Sequence, residues 1–185
     1  GQHAIVIGAS MGGLLAARVL SNHYERVTLV ERDTFPNGPG LRKGTPQAQQ
    51  PHFLLAMGAI VLEKFFPGLI DELVEHGACD GDTDKILMFQ EGGYLCRLKV
   101  GVRDVAQSRP LIEYVVRQRV LALANVSAIE NCDALGLVTE AGGTRVKGVR
   151  IIRRDAGSAE EQLMADLVVD TSGRGSRIPD WLVDL

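Results

Sequence analysis

The run Gly8-Ala9-Ser10-Met11-Gly12-Gly13 places three glycines where an apolar segment gives way to a helical one. Such a turn suits a phosphate. Gly8 permits a tight bend, and Gly13 lets a helix pack close to a strand. The amides opening that helix face outward, with the helix dipole favouring negative charge. Ser10 stands where the middle glycine of Gly-x-Gly-x-x-Gly would be. Its Cβ limits backbone approach, while its hydroxyl can donate a hydrogen bond. Met11 and Gly12 complete the turn. Glu31 follows Gly8 by 23 residues, the spacing at which a carboxylate ending a second strand accepts hydrogen bonds from an adenosine ribose. It also repels a 2′-phosphate. Arg32 and Asp33 come next, positioned either to flank an adenine or as exposed loop charges.

The elements that must hold these residues are legible nearby. Residues 3 to 8 form a continuous apolar run, the signature of a strand covered on both faces. Residues 11 to 22 have helical spacing, and 26 to 31 form a second strand. Residues 33 to 51 carry four prolines and three glycines, which predicts a long loop. Helices are expected over 52–66 and 69–77, split by Pro67-Gly68, and a hairpin over 85–90 and 94–100 around Gly92-Gly93. Residues 109–124 read as a helix capped by Ser108. Strands are expected at 126–130, 133–140 and 145–153, then Asp166–Asp170 running into Thr-Ser-Gly-Arg-Gly-Ser, with a terminal helix or linker from Trp181. The expected class is α/β: a Rossmann-like three-layer fold with a parallel sheet, helices on one side and a small antiparallel crossover sheet on the other.

Composition excludes several classes. The 185 residues are 45% apolar with a formal charge of -3, so no basic field exists to hold nucleic acid or an anionic membrane. The longest run without a polar residue, Phe53 to Leu62, is half the ~20 residues needed to span a bilayer. Cys79, Cys96 and Cys132 are odd in number and widely spaced, which argues for reduced structural thiols in a cytoplasmic protein rather than a disulfide framework or zinc site. The chain opens on Gly rather than Met, so its start reads as processed or trimmed.

Residues 3–32 together with Asp166–Arg177 resemble the FAD-binding domain of flavin-dependent monooxygenases, a group that includes hydroxybenzoate-hydroxylase-like enzymes, geranylgeranyl reductases and flavin halogenases. The segment Asp170-Thr171-Ser172-Gly173 is similar to the Asp-Ala-Ser-Gly turn of the reductases and halogenases. In the hydroxylases an Asp-Gly pair stands there, and Ser172 replaces that Asp. The resemblance implies FAD as cofactor and NAD(P)H as external reductant, with oxygenation of a small organic substrate. Gly173 would approach the flavin, Arg42 the pyrophosphate, and Arg109 the flavin phosphates. Near residues 80–105 it implies a partial substrate-domain insertion in a 1–185 FAD-binding domain. It also implies a later Gly-Asp segment and most of a substrate domain, neither present by Leu185, so the chain is expected to be a fragment that binds FAD weakly or not at all.

Gln47 and His52 sit in a Pro/Gln-rich loop entering an expected helix, where His52 could act on a substrate or simply open the helix. Arg117 reads as a surface or salt-bridge residue. No catalytic residue and no metal site is assigned, because in a flavoenzyme the flavin carries the chemistry. Three other readings stay open: a flavin-dependent reductase of a lipid double bond, an NAD-dependent dehydrogenase, and a non-catalytic nucleotide-binding remnant. Use of the first loop by a methyltransferase is more remote, since S-adenosylmethionine has no pyrophosphate.

Overall fold

Five consecutive buried residues, His3–Ile7, make the first strand. The computed structural model describes residues 1–185 except 86, 100, 102 and 184. In chain order the elements are β1 (His3–Ile7), α1 (Met11–Leu20), β2 (Arg26–Val30), β3 (Pro51–Leu54), α2 (Ala56–Phe65), α3 (Leu69–Glu75), β4 (Cys79–Gly81), β5 (Phe89–Gln90), β6 (Gly93–Tyr94), β7 (Asp104–Ser108), α4 (Arg109–Leu121), β8 (Val126–Ile129), β9 (Cys132–Thr139), β10 (Val146–Arg153), β11 (Glu160–Met164), β12 (Leu167–Asp170) and α5 (Ile178–Val183). Short 3-10 turns cover Pro46–Gln49, Thr83–Lys85 and Gly173–Gly175.

The chain divides into two compact units. The first comprises Gly1–Asn37, Arg42–Thr45 and Arg117–Leu185. Its centre is a four-stranded parallel sheet in the order β12-β1-β2-β8. Parallel strands joined by crossovers bury both faces, which is why β1 and β2 are apolar without alternation. Helix α1 packs on β1 and β2 through Leu14 and Ala17, both fully buried. A three-stranded antiparallel sheet, β11-β10-β9, supplies Val149, Ile151 and Cys132 to a core shared with Ile5, Ile7 and Val30. The expected parallel sheet and antiparallel crossover sheet are both present.

The second unit comprises Gly38–Leu41 and Pro46–Val116. Here β3, β7 and β4 form an antiparallel sheet with β7 in the centre, and α2 packs on α3 and β7. Ser108 caps α4 as expected, its Oγ accepting the Leu111 N–H at 3.2 Å. Helix α4 gives its residues up to Val116 to this unit and those from Arg117 to the first.

Several expectations need correction. Residues 51–54 are a strand paired with β7, not the start of a helix; an apolar run this short is compatible with either state, and pairing to a distant strand decides it. Strands β4, β7 and β11 were not anticipated. The hairpin at Gly92-Gly93 exists, but β5 and β6 have two residues each; of the expected strands, Ile86 and Val100 lie outside the described residues.

Candidate functional site

The C-terminal ends of β1, β2 and β12 open into a cleft of about 410 Å³ within the first unit. Its floor is the turn after β1. Gly8 sits at φ +90°, a conformation in which any Cβ would also lie 3.0 Å from the Thr171 carbonyl oxygen. Ser10 is the N-cap of α1, in extended backbone. Leu14 N–H closes the first helical bond onto Ser10 O at 2.9 Å, so the amides of Met11, Gly12 and Gly13 precede any intrahelical acceptor. Gly13 is where helix and turn touch. A Cβ there would fall 1.9 Å from Gly8 O. At Gly12 the nearest neighbour of an added Cβ is 3.8 Å away, leaving that flank of the helix start open.

Thr171, just past β12, fastens the turn. Its hydroxyl lies 2.8 Å from Ile7 O and 2.9 Å from Gly8 O, and its N–H donates to Ile7 O. Asp170 braces the segment beyond. Its Oδ1 accepts from the N–H of Ser172 at 2.9 Å and the Ser172 hydroxyl at 2.6 Å, and its Oδ2 accepts from the Ser176 hydroxyl. Ser176 in turn caps α5, accepting the Ile178 N–H at 3.2 Å. Gly173, at φ +70°, has open space where a Cβ would be, between Ser172 and Gly175 of the cleft wall.

Glu31 follows β2 directly and is only 4% exposed. Its Oε2 accepts the Ala9 N–H at 2.7 Å and its Oε1 the Asp33 N–H at 3.0 Å. The Arg42 guanidinium lies 3.2 Å from Glu31 Oε2 and 3.7 Å from Asp33 Oδ2, and donates to Ala9 O at 3.3 Å. Arg42 is thus brought to the acid that ends β2 and to Ala9 of the glycine turn. A carboxylate accepts about four hydrogen bonds. Two amides and one guanidinium leave about one of these sites.

Arg32 is exposed on the cleft wall. Arg109 belongs to the second unit, 3.4 Å from Glu113 in an i,i+4 pair. Arg117 is no surface residue: it is 2% exposed, donates to Pro36 O at 2.9 Å and lies 4.8 Å from the Phe35 ring centre. His52 lies on β3 opposite Gln107 and contacts Gln50 O through Nδ1, not at a helix start. Gln47 is exposed in the turn before β3.

Among the residues of the cleft wall that escaped the sequence reading are Thr171, Cys132, Arg177 and Trp181. Cys132 is buried, and burial pushes its thiol up from the ordinary cysteine value. All three cysteines are free, with Cys79 and Cys96 exposed. Among the described residues no group of acidic, histidine or cysteine side chains has a metal-binding arrangement.

No family model matches the chain. It is 40% identical over 193 residues to protein Rv3254 of Mycobacterium tuberculosis, covering 98% of this chain and 40% of that protein. The flavin-dependent monooxygenase PieE, solved with FAD and substrate, superposes with a TM-score of 0.67 at 17% identity over 98% of this chain and 32% of its own. The myxobacterial FAD-dependent halogenase CndH gives 0.63 at 22% identity over 96% and 39%. The fold is therefore the FAD-binding Rossmann-like fold of flavin monooxygenases and halogenases. The chain spans less than half the length of these relatives.

Proposed function

We propose that this chain is the FAD-binding part of a flavin-dependent oxidoreductase of the monooxygenase kind. NAD(P)H would be its external reductant, and a small organic molecule its substrate. One observation carries the reading: buried Glu31 and the first residues of the glycine turn, Gly8, Ala9 and Ser10, line a single cleft, as the two halves of an ADP moiety require. The cradle fits. Gly12 leaves space at the helix start, Gly13 sets helix against turn, and the Glu31 carboxylate is held by the Ala9 and Asp33 amides.

Within this reading the amides of Met11, Gly12 and Gly13 hold the pyrophosphate, and the helix dipole opposes its charge. Glu31 accepts the ribose hydroxyls. Arg42, released from part of its pairing with Glu31, neutralises charge beside them. Arg32 flanks the adenosine half. Arg109 and Gly173 enter through the resemblance, on the flavin side. Bound FAD would supply the redox chemistry, and the protein residues bind and orient it. Residues 80–105 are assigned to a substrate-domain insertion. Reduced thiols agree with a cytoplasmic setting, and no helix among the described residues is long and apolar enough to cross a membrane.

The test is direct. The protein is mixed with FAD, desalted and examined by visible spectroscopy, and calorimetric titrations with FAD and NAD are run side by side. Retained flavin bands with tighter FAD than NAD binding support the proposal. NAD binding without FAD binding transfers the cleft to a nicotinamide-dependent dehydrogenase.

A further inference from the structure

Trp181 is the chain's single tryptophan. It sits on α5, a helix that β12 leads into but that packs against β9. Its own N–H bonds to Arg177 O at 3.0 Å, and the Arg177 guanidinium lies 5.9 Å from its ring centre, inside the range of a cation–π contact. One side of the indole rests on the core formed by Ile5, Ile7, Val30 and their neighbours. The residue also lines the cleft with Glu31 and Cys132.

The indole Nε1–H is buried and has no hydrogen-bond partner among the described residues. Buried indole N–H groups ordinarily find an acceptor, and leaving one unmade costs free energy. The indole is donor-only, so the missing partner must be an acceptor. The donor's place is set by the chain: Trp181 packs on β9, whose first residue, Cys132, donates its N–H to Glu31 O at 3.0 Å. The same core also holds Ile7 and Val30, the last residues of β1 and β2, so the donor stands where the strands leading to the glycine turn and to Glu31 end.

We infer that Trp181 is a binding residue for the adenine base, its indole N–H donating to a ring nitrogen while Arg177 holds the ring in place. The inference rests on the dinucleotide reading above. It adds a base contact contributed by the segment after β12, separate from the glycine turn and the acid.

ADP is the probe, because it carries the base without the flavin and does not absorb where tryptophan is selectively excited. Calorimetry measures binding, and the emission of the lone tryptophan is followed in the same titration. The expected result is an emission change that saturates at the calorimetric midpoint. Trp181→Phe, which keeps a ring and removes the donor, should bind ADP about tenfold more weakly. If ADP binds without altering the emission, or if Trp181→Phe binds as tightly as the unaltered protein, the inference is overturned and the dinucleotide reading stands. If neither ADP nor FAD binds at all, both fall. Should the variant not fold, the emission titration of the unaltered protein decides alone.

Discussion

Arg42 and Glu31 form an ion pair at 3.2 Å, with both side chains almost wholly withdrawn from water. A buried charge that loses its partner costs about 3–5 kcal/mol. Here each has further support: Asp33 stands 3.7 Å from Arg42, and two amides serve Glu31. Single substitutions Glu31→Gln and Arg42→Met are therefore expected to cost about 1–3 kcal/mol each, and the double variant less than their sum. Urea unfolding of the four proteins measures the coupling; strict additivity would show that the pair contributes nothing as a pair. Glu31→Gln should also weaken ADP binding about tenfold.

The two helix-start glycines should behave oppositely. Gly13→Ala drives a Cβ to 1.9 Å from Gly8 O and 2.8 Å from Thr171 Oγ1, so α1 must lift from the turn, at a cost of about 1–3 kcal/mol or more. Gly12→Ala meets nothing closer than 3.8 Å and gains up to about 1 kcal/mol of helix propensity. Thermal melts are expected to fall for the first and to hold or rise for the second. A destabilised Gly12→Ala would refute the open flank.

Stability should weaken on acidification, through His3. Its Nδ1–H donates to Met164 O at 2.7 Å, and its Nε2 lies 2.9 Å from the Thr28 hydroxyl. Burial holds its pKa below 6.5; the Met164 carbonyl pushes it back up, Arg26 pushes it down and Asp166 up. The folded protein thus takes up fewer protons than the unfolded chain below that pH. Stability is full above 6.5 and declines as pH falls from there toward the lowered folded value. Urea midpoints across this interval should drop, and His3→Gln should flatten the slope.

Asp170 is expected to act by positioning. Its carboxylate is the shared acceptor for Ser172 and Ser176, so Asp170→Ala frees the turn carrying exposed Arg174. Trypsin should then cut after Arg174 several-fold faster, with a comparable loss of dinucleotide affinity. Unchanged proteolysis would show that the turn holds itself.

What the sequence disclosed was local. The run His3–Ile7, the glycine turn and Glu31 lie within one crossover, and their chemistry is readable from neighbours a few residues apart. What it concealed depends on distant pairing. Pro51–Leu54 became a strand because Asp104–Ser108 lies beside it, and that partner was itself unread, being short and half polar. Glu160–Met164 has too many charges to read as a strand until β10 is seen next to it. The burial of Arg117 is hidden in the sequence because Phe35 and Pro36, which it meets, are some 80 residues away. Trp181 was passed over for the same reason: nothing near it in the chain says that it faces Glu31's cleft.

Cys132 gives the molecule an internal clock. Two thiols face water and one is sealed in the core with its ionisation suppressed, so an alkylating reagent should mark two sites at once and the third only when the structure breathes. The lag before that third label timestamps local opening around the cleft, and a ligand that braces the region lengthens it. Mass spectrometry of intact protein can therefore report occupancy even for a compound with no colour, no fluorescence and no measurable heat.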